Sequence, residues 1–460
     1  MATTMAPEAG GRINGRASAG KTLRGRIPRS AQGTWEPPAD RADPVTLIEA
    51  SSLGRIPELI PIRYGRMALS PFSFFRGAAN LMAADLASTP STGLRVQICG
   101  DCHLMNFGGF ATPERSLIFD INDCDETLPG PWEWDVKRLA ASLVLAARHL
   151  HLRPAYAASA VFAATSAYRL HMADYAAMPI LDVWYSRLEL DTLATILGRA
   201  ALRKSSTVKA PAHASDHVAA RLTDVVDGHR RIVENPPLIF HAAPEEYLDL
   251  EVAGLLQRYR ESLPDHLRVL LDRYRFIDAA YKVVGVGSVG TRCAVVLLAA
   301  DERNSLVLQL KEARRSVLEP FVDPSVYTNQ GRRVVVGQHL MQAASDMFLG
   351  WTRDDAGHEY YFRQLRDWKT AVSVDDMGGA DLASYAGYCG WALSRAHART
   401  GDPAAISGYI GRGDQFDRAI LAFSNAYADQ TERDYTEFMK AIDSGRLPCE
   451  KQEPPPTAKP

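Results

Sequence analysis

Long hydrophobic runs are missing from this sequence. Its longest apolar stretches, Leu139 to Ala147 and Cys293 to Ala300, fall far short of the roughly 20 residues that cross a bilayer, so no transmembrane helix is expected. An excess of charge of either sign is missing as well. The 52 Lys and Arg stand against 54 Asp and Glu, a formal balance of −2. Proteins that bind nucleic acid or membrane surfaces usually carry a basic excess or stripe, so neither partner is expected. Cysteine is sparse, 6 in 460 residues, and the N-terminal segment has no apolar stretch of the secretory kind. Both features point to reduced thiols and a cytoplasmic location. No repeat of fixed period occurs, which removes solenoids and propellers.

What is present is the composition of an ordinary globular protein, 46% hydrophobic and 23% charged, in a chain long enough for two or three packed lobes. Residues 1–44 are rich in Gly, Ala, Arg, Ser and Pro and are expected as a disordered arm. Residues 448–460, with Pro454-Pro455-Pro456, are expected as a disordered tail. Between them, helical periodicity dominates. Val136, Leu139, Ala140, Leu143 and Ala147 give Trp132 to Leu150 a buried helix. Residues 151–272 read as a helical block, a possible substrate region, interrupted by the polar loop from Lys204 to Lys209 and by Pro236-Pro237. Short apolar strands are expected at Leu94 to Cys99 and Ser116 to Ile121, inside a segment covering 45–150. Residues 273–375 are β-rich, and 376–447 return to helices. The expected class is α+β with a large helical share.

The most informative stretch is Cys99-Gly100-Asp101-Cys102-His103-Leu104-Met105-Asn106-Phe107-Gly108, followed by Asp120 at the end of the strand Leu117-Ile118-Phe119, then Asp123 and Asp125. An Asp, an Asn five residues later and an Asp at a strand end is the layout that phosphoryl transfer needs. The first carboxylate takes the proton of an acceptor hydroxyl, and the Asn oxygen and a further carboxylate are hard ligands for Mg²⁺ on nucleotide phosphates. Asp101 and His103 are therefore the expected catalytic residues, with Asn106, Asp120 and Asp123 as metal ligands. The same turn spells Cys-x-x-Cys-His, and Cys99, Cys102, His103 and Cys124 are possible zinc ligands. Without an export signal or a second spaced pair, haem and zinc are both set aside in favour of buried thiols.

A second piece is Gly285-Val286-Gly287-Ser288-Val289-Gly290. A dinucleotide fingerprint would need a helix directly after the glycines. Here the β-branched run Ala294 to Leu298 follows, so the glycines join two strands, as in the lid that covers ATP phosphates. Gly285, Gly287, Ser288 and Gly290 are expected to bind nucleotide, and Lys311, on the next strand, to place its charge on the phosphates. Arg63, Arg66 and Arg76 precede the catalytic turn. Arg76 is the one expected to act, because it is embedded in Phe74-Phe75-Arg76-Gly77, where a charge needs a partner.

These motifs resemble the kinase-like phosphotransferases, especially the aminoglycoside and choline kinase branch. Asp101, His103 and Asn106 fall on that branch's His-Gly-Asp-x-His-x-x-Asn loop, and Asp120 on its metal position. Trp134-Asp135-Val136 resembles a helix start whose Asp braces the loop. Pro71 to Gly77, Gly100 to Gly108, Leu310 to Ala313, Gln342 to Asp346 and Ala396 to Asp402 also resemble an uncharacterised bacterial family, domain of unknown function number twenty-two fifty-two. The resemblance implies a two-lobe kinase-like fold, with ATP and Mg²⁺ as cofactors and an unknown small-molecule or protein acceptor. The glycine loop and Lys311 follow the catalytic turn here, whereas kinases put them before it, so the implied fold is circularly permuted. Trp391 to Ala398, resembling the helix that precedes the loop in that branch, also lies where permutation demands. Nucleotidyl transfer, or nucleotide binding without turnover if no Glu pairs with Lys311, are the alternatives. For that partner the sequence offers Glu319, or Gln338 and Gln342 in its place.

Overall fold

The computed structural model describes residues 13–189, 214–226, 229–241, 252–302, 304–365, 369–370 and 374–450. The Lys204 to Lys209 loop and the tail from residue 451 lie outside them. The architecture is α+β. Its larger part is helical and its smaller part is built on one antiparallel sheet.

The sheet has six strands in the order Gly350–Arg353, Glu359–Gln364, Ser305–Glu312, Cys293–Ala299, Arg275–Lys282 and Ile239–Phe240. Successive side chains point to opposite faces, and both faces are covered, which is why Cys293–Ala299 is apolar without alternation. Ala294, Val296 and Leu298 pack against Leu255, Tyr259 and Leu263 of the Val252–Ser262 helix and its exit. Val295 and Leu297 meet Val218, Ala219 and Ile232 on the other face. The block at 151–272 is therefore not a single helical unit. Pro154–Ala177 belongs with the helices at 132–149 and 379–400, whereas the described residues from 214 to 271 wrap the sheet and include the strands Thr223–Val226, His229–Ile232 and Ile239–Phe240. The apolar faces of 252–271 are spaced for a helix but have no partner until the sheet exists.

The helical part centres on Trp132–His149, buried along nearly its whole length. Pro154–Ala177 and Gly379–Thr400 lie against each other beside it, and Gly390 permits their contact, since a Cβ there would stand 2.0 Å from the Ala164 carbonyl oxygen. The 29-residue helix Gln415–Asp443 closes the bundle. Two smaller antiparallel arrangements, Arg95–Ile98 with Leu128–Pro131 and Phe107–Ala111 with Leu117–Ile121, carry the loops that face the six-stranded sheet.

The expected disordered arm is corrected over its described part. Ile13–Arg26 is a helix seated on Pro403–Ile410. The contact is made by small residues rather than large apolar ones: a Cβ on Gly20 would stand 1.9 Å from the Ala405 oxygen, and one on Gly408 would stand 2.1 Å from the Ala17 oxygen. Arg24 and Arg29 then donate to the carbonyls of Tyr409 and Ile410 at 2.9 and 3.0 Å, satisfying acceptors at a helix end. Further along, Arg41 bridges the buried carboxylates of Asp85 and Asp434 at 2.7 and 2.6 Å. Low hydrophobicity suggested disorder, but close backbone approach and buried ion pairs order the segment.

Lys137 is fully buried in the central helix, with its ammonium 5.0 Å from the centre of the Phe423 ring and no hydrogen-bond partner. Burial draws its pKa down to about 8 against the opposing charge of Glu133. The unfolded chain, with a lysine pKa of about 10.4, then binds more protons between pH 8 and 10, so stability rises with pH through that window. Lys137→Met should gain up to about 3 kcal/mol at pH 7 and lose the rise, as read by urea unfolding at pH 7, 9 and 10.

Candidate functional site

The strand Arg95–Ile98 delivers the chain into the turn at 99–106, and one helix face holds that turn. Asp135, in the first turn of Trp132–His149, accepts the N–H groups of Cys99 at 2.6 Å and Gly100 at 3.0 Å. Three residues on, Arg138 donates its Nε to Asp101 Oδ1 at 2.7 Å and adds its Nη2 to the same oxygen. Ser142 Oγ accepts the N–H of Leu104 at 3.0 Å. Positions 135, 138 and 142 share one helical face, so a single rigid element fixes backbone and carboxylate together. His397 Nε2 lies 3.2 Å from Asp135 and its Nδ1 lies 2.8 Å from the Tyr168 hydroxyl, which adds the C-terminal helix to the brace. Gly100 turns with φ +83°, and a Cβ there would stand 2.8 Å from the Glu126 oxygen.

Asp101 is pushed above its ordinary pKa by burial, with Arg138 opposing and the charge of Asp123 adding. His103 shares the cavity wall but not a hydrogen bond with Asp101, since Nε2 stands 3.9 Å from Oδ2. Burial, then the charges of Arg76 and Arg138, hold its pKa well below the usual histidine value, so it is a neutral imidazole at pH 7. The cation that touches Asp101 is Arg138, a residue to which the sequence alone assigned no role. Its signal was its place three residues after Asp135.

Asn106 donates its Nδ2 to the Asp101 main-chain oxygen at 2.7 Å. A carbonyl can only accept, so the amide nitrogen is fixed there and Oδ1 is turned away from it. Asp123 and Asp125 line the same cavity, and both reach Lys311: the Nζ is 3.4 Å from Asp123 and 2.6 Å from Asp125. Burial alone would lower the Lys311 ammonium, but the two carboxylates hold it well above the ordinary lysine value. Tyr361 donates to Asp125 at 2.6 Å, and Arg333 ties the same loop through the Asp125 and Thr127 carbonyls at 2.8 and 2.9 Å. The charge partners of Lys311 are thus these two aspartates. Glu319 pairs with Arg315 at 2.8 Å, while Gln338 donates to Gln342, which donates to the Ile121 carbonyl.

Asp120 is not in the cavity, which corrects its expected place among the metal ligands. It is 1% exposed, paired with Arg395 at 2.7 Å, and it accepts the N–H groups of Ala343 and Ile121 at 2.8 and 2.9 Å. Its lone pairs are committed to the join between the Leu117–Ile121 strand and the helices at 330–341 and 379–400. The carboxylate that faces the cavity is Asp123, on the turn just beyond.

The glycine loop spans 283–292 between two neighbouring strands of the sheet. Gly285 and Gly290 take φ of +64° and +86°, which side-chain-bearing residues rarely adopt. The loop is tied down through its carbonyls: Arg66 donates to Gly285 O at 2.5 Å, Arg55 to Val289 O at 2.6 Å, and the Ile56 N–H to Gly290 O at 2.8 Å. The N–H groups of Gly287 and Ser288 have no protein acceptor among the described residues. Gly285, Gly287 and Ser288 face Asp101, Asn106 and Asp123 across one cavity of about 300 Å³, at the small end of ligand sites. Gly290 sits outside its lining, against the Arg55 side chain. Tyr360, Tyr361 and Phe362 are buried in the sheet.

Cys99, Cys102 and Cys124 are buried free thiols behind the turn. Among the described residues no three His, Cys, Asp or Glu side chains converge as a metal-holding group.

A family model for "Uncharacterized protein conserved in bacteria (DUF2252)" matches residues 55–441. The chain belongs to this family. Neither a curated protein nor a solved structure matches it. The DUF2252 match takes in the 99–106 turn, the glycine loop, Lys311 and the bracing helices, and leaves the Ile13–Arg26 helix outside.

A structural Asp120 has a measurable signature. Arg395→Met should cost about 3–5 kcal/mol, because it strands a buried carboxylate, and Arg395→Met with Asp120→Asn should recover most of that in urea unfolding.

Proposed function

We propose that this DUF2252 protein is an ATP- and Mg²⁺-dependent phosphotransferase of kinase-like, circularly permuted fold. It would move the γ-phosphoryl group to a hydroxyl of an acceptor. The observation that carries this reading is the meeting of Lys311 with Asp123 and Asp125. Segments 188 and 186 residues apart bring one cation against two acids in the cavity that also holds Asp101, Asn106 and the glycine loop. A nucleotide triphosphate needs such a set on one site: donors for its oxygens, a lysine, and hard oxygen ligands for its metal.

In this reading the six-stranded sheet with the Gln330–Met341 helix is the nucleotide lobe, and the helical part is the acceptor lobe. The free N–H groups of Gly287 and Ser288 meet phosphate oxygens, and Lys311 shifts part of its charge from Asp123 to the phosphates. Asn106 Oδ1 and Asp123 would hold Mg²⁺, which neutralises charge on the β- and γ-phosphates. A set of two protein ligands suits that ion, which keeps waters and phosphates in its other positions. Asp101 takes the acceptor proton. Its raised pKa makes it a better base, and Arg138 keeps it aimed. His103, neutral and unbonded to Asp101, shapes the wall beside it.

Asp101→Ala should lose about 10²–10⁴ in turnover while still binding nucleotide. Asp123→Ala should abolish the magnesium-dependent part of the ATP thermal shift, and Asp120→Asn should leave it intact while lowering the melting temperature of the free protein. Wild-type turnover in Asp101→Ala would sink the assignment. Nucleotidyl transfer uses the same residues with the nucleotide reversed, and pyrophosphate rather than ADP among the products would identify it. No Glu pairs with Lys311 among the described residues, which is the condition that favours a scaffold, and ATP binding without either product would identify one.

A further inference from the structure

Asp101, Asp123, Asp125 and Glu312 of the cavity each pair with a cation, but the arginines opposite them do not each have an acid. Arg55, Arg63, Arg76 and Arg314 line the wall facing Asp101 and Asp123. Three of them spend their N–H groups on neutral acceptors. Arg55 donates to Ser51 O and Val289 O at 2.9 and 2.6 Å. Arg63 donates to the hydroxyls of Ser51 and Ser52 and to Gly77 O, each at 2.9 Å. Arg314 reaches the carbonyls of Ser51 and Leu53. No carboxylate stands within ion-pair distance of these three among the described residues.

Arg76 goes further. Among the described residues it has neither a hydrogen bond nor an ion pair, and its Nε is buried without a partner. Its guanidinium rests 5.8 Å from the centre of the Phe72 ring, and its main chain lies under the tip of the glycine loop, 3.3 Å from where a Gly287 Cβ would be. Burial lowers its pKa, with Asp101 and Asp375 opposing. A fork of N–H donors held in a cavity and left without an acceptor is matched by a bidentate oxyanion.

We propose that Arg76 is the anion seat of this cavity: its guanidinium takes a phosphate or carboxylate group beside Asp101, with Arg55, Arg63 and Arg314 supplying the surrounding positive potential. The seat deepens the phosphotransferase reading and rests on it only for the origin of the anion. That origin is either the terminal phosphate of the nucleotide or an acidic group carried by the acceptor. In the second case the acceptor is a phosphorylated or carboxylated hydroxy compound rather than a neutral sugar or amino alcohol.

The test is calorimetric titration of the full chain with inorganic phosphate, Mg-ATP and Mg-ADP, on wild type, Arg76→Gln, Arg76→Lys and the exposed control Arg418→Gln. Wild type and Arg418→Gln should bind phosphate, Arg76→Gln should bind it roughly ten- to a hundredfold more weakly, and Arg76→Lys should fall between, having the charge without the fork. Arg76→Gln should melt no lower than wild type without ligand, since its guanidinium has no hydrogen bond or ion pair to lose among the described residues, and this separates lost binding from lost folding. If Arg76→Gln weakens Mg-ATP but not Mg-ADP, the seat holds the terminal phosphate. If both nucleotides bind as in wild type and only phosphate added to the Mg-ADP complex is lost, the seat belongs to the acceptor. Phosphate binding without any nucleotide binding would keep the seat and remove the phosphotransferase reading. Equal phosphate affinity in wild type and Arg76→Gln, or none in wild type, would overturn the seat.

Discussion

A carboxylate taken out of water must find a cation or a set of N–H groups, because the lost hydration is worth several kcal/mol. That constraint organises the middle of this molecule. Asp101, Asp120, Asp123, Asp125 and Asp135 lie within 35 residues, and each is answered from elsewhere: Arg138, Arg395, Lys311 for two of them, and His397 with two backbone amides. Two of the answering groups come from the helix at 379–400 and one from the central strand of the sheet. Of these pairs only those of Lys311 with Asp123 and Asp125 join the six-stranded sheet to the helical part, and a shift of about 5.4 Å between the two would break both.

The same accounting separates structural acids from chemical ones. Asp120 and Asp135 are saturated by fixed partners and serve the framework. Asp101, Asp123 and Asp125 keep part of their surface open to the cavity, with side-chain exposures of 22%, 31% and 27%. The glycine loop differs from a free lid in being tied by its carbonyls to Arg55, Ile56 and Arg66. The segment before the 99–106 turn thus fixes the glycine loop above it.

The segment before the 99–106 turn also packs on the last described residues. Phe438 packs between Tyr64 and Phe74, Arg446 pairs with Glu49 at 2.7 Å, and the Glu450 N–H donates to Pro61 O at 3.0 Å.

Much of this was legible in the sequence for local reasons. Apolar spacing placed the helix at 132–149 and the strands at 293–299 and 305–312 within a residue or two. Glycines at 285 and 290 announced a turn that only they can make, and of the Asp101, Asn106 and Asp120 spacing the first two line the cavity, where Asp123 joins them from the turn after the 117–121 strand. Three matters waited for the tertiary structure. The arm was misjudged because Ala17 and Gly20 gain from closeness rather than from area, which composition does not register. The block at 151–272 was misjudged because its two apolar halves are alike in pattern and differ only in what they cover. Asp120 and Asp123 are the same residue type three positions apart, and only the direction of Arg395 and Lys311, contributed from residues far along the chain, decides which acid is buried and which stays open to the cavity.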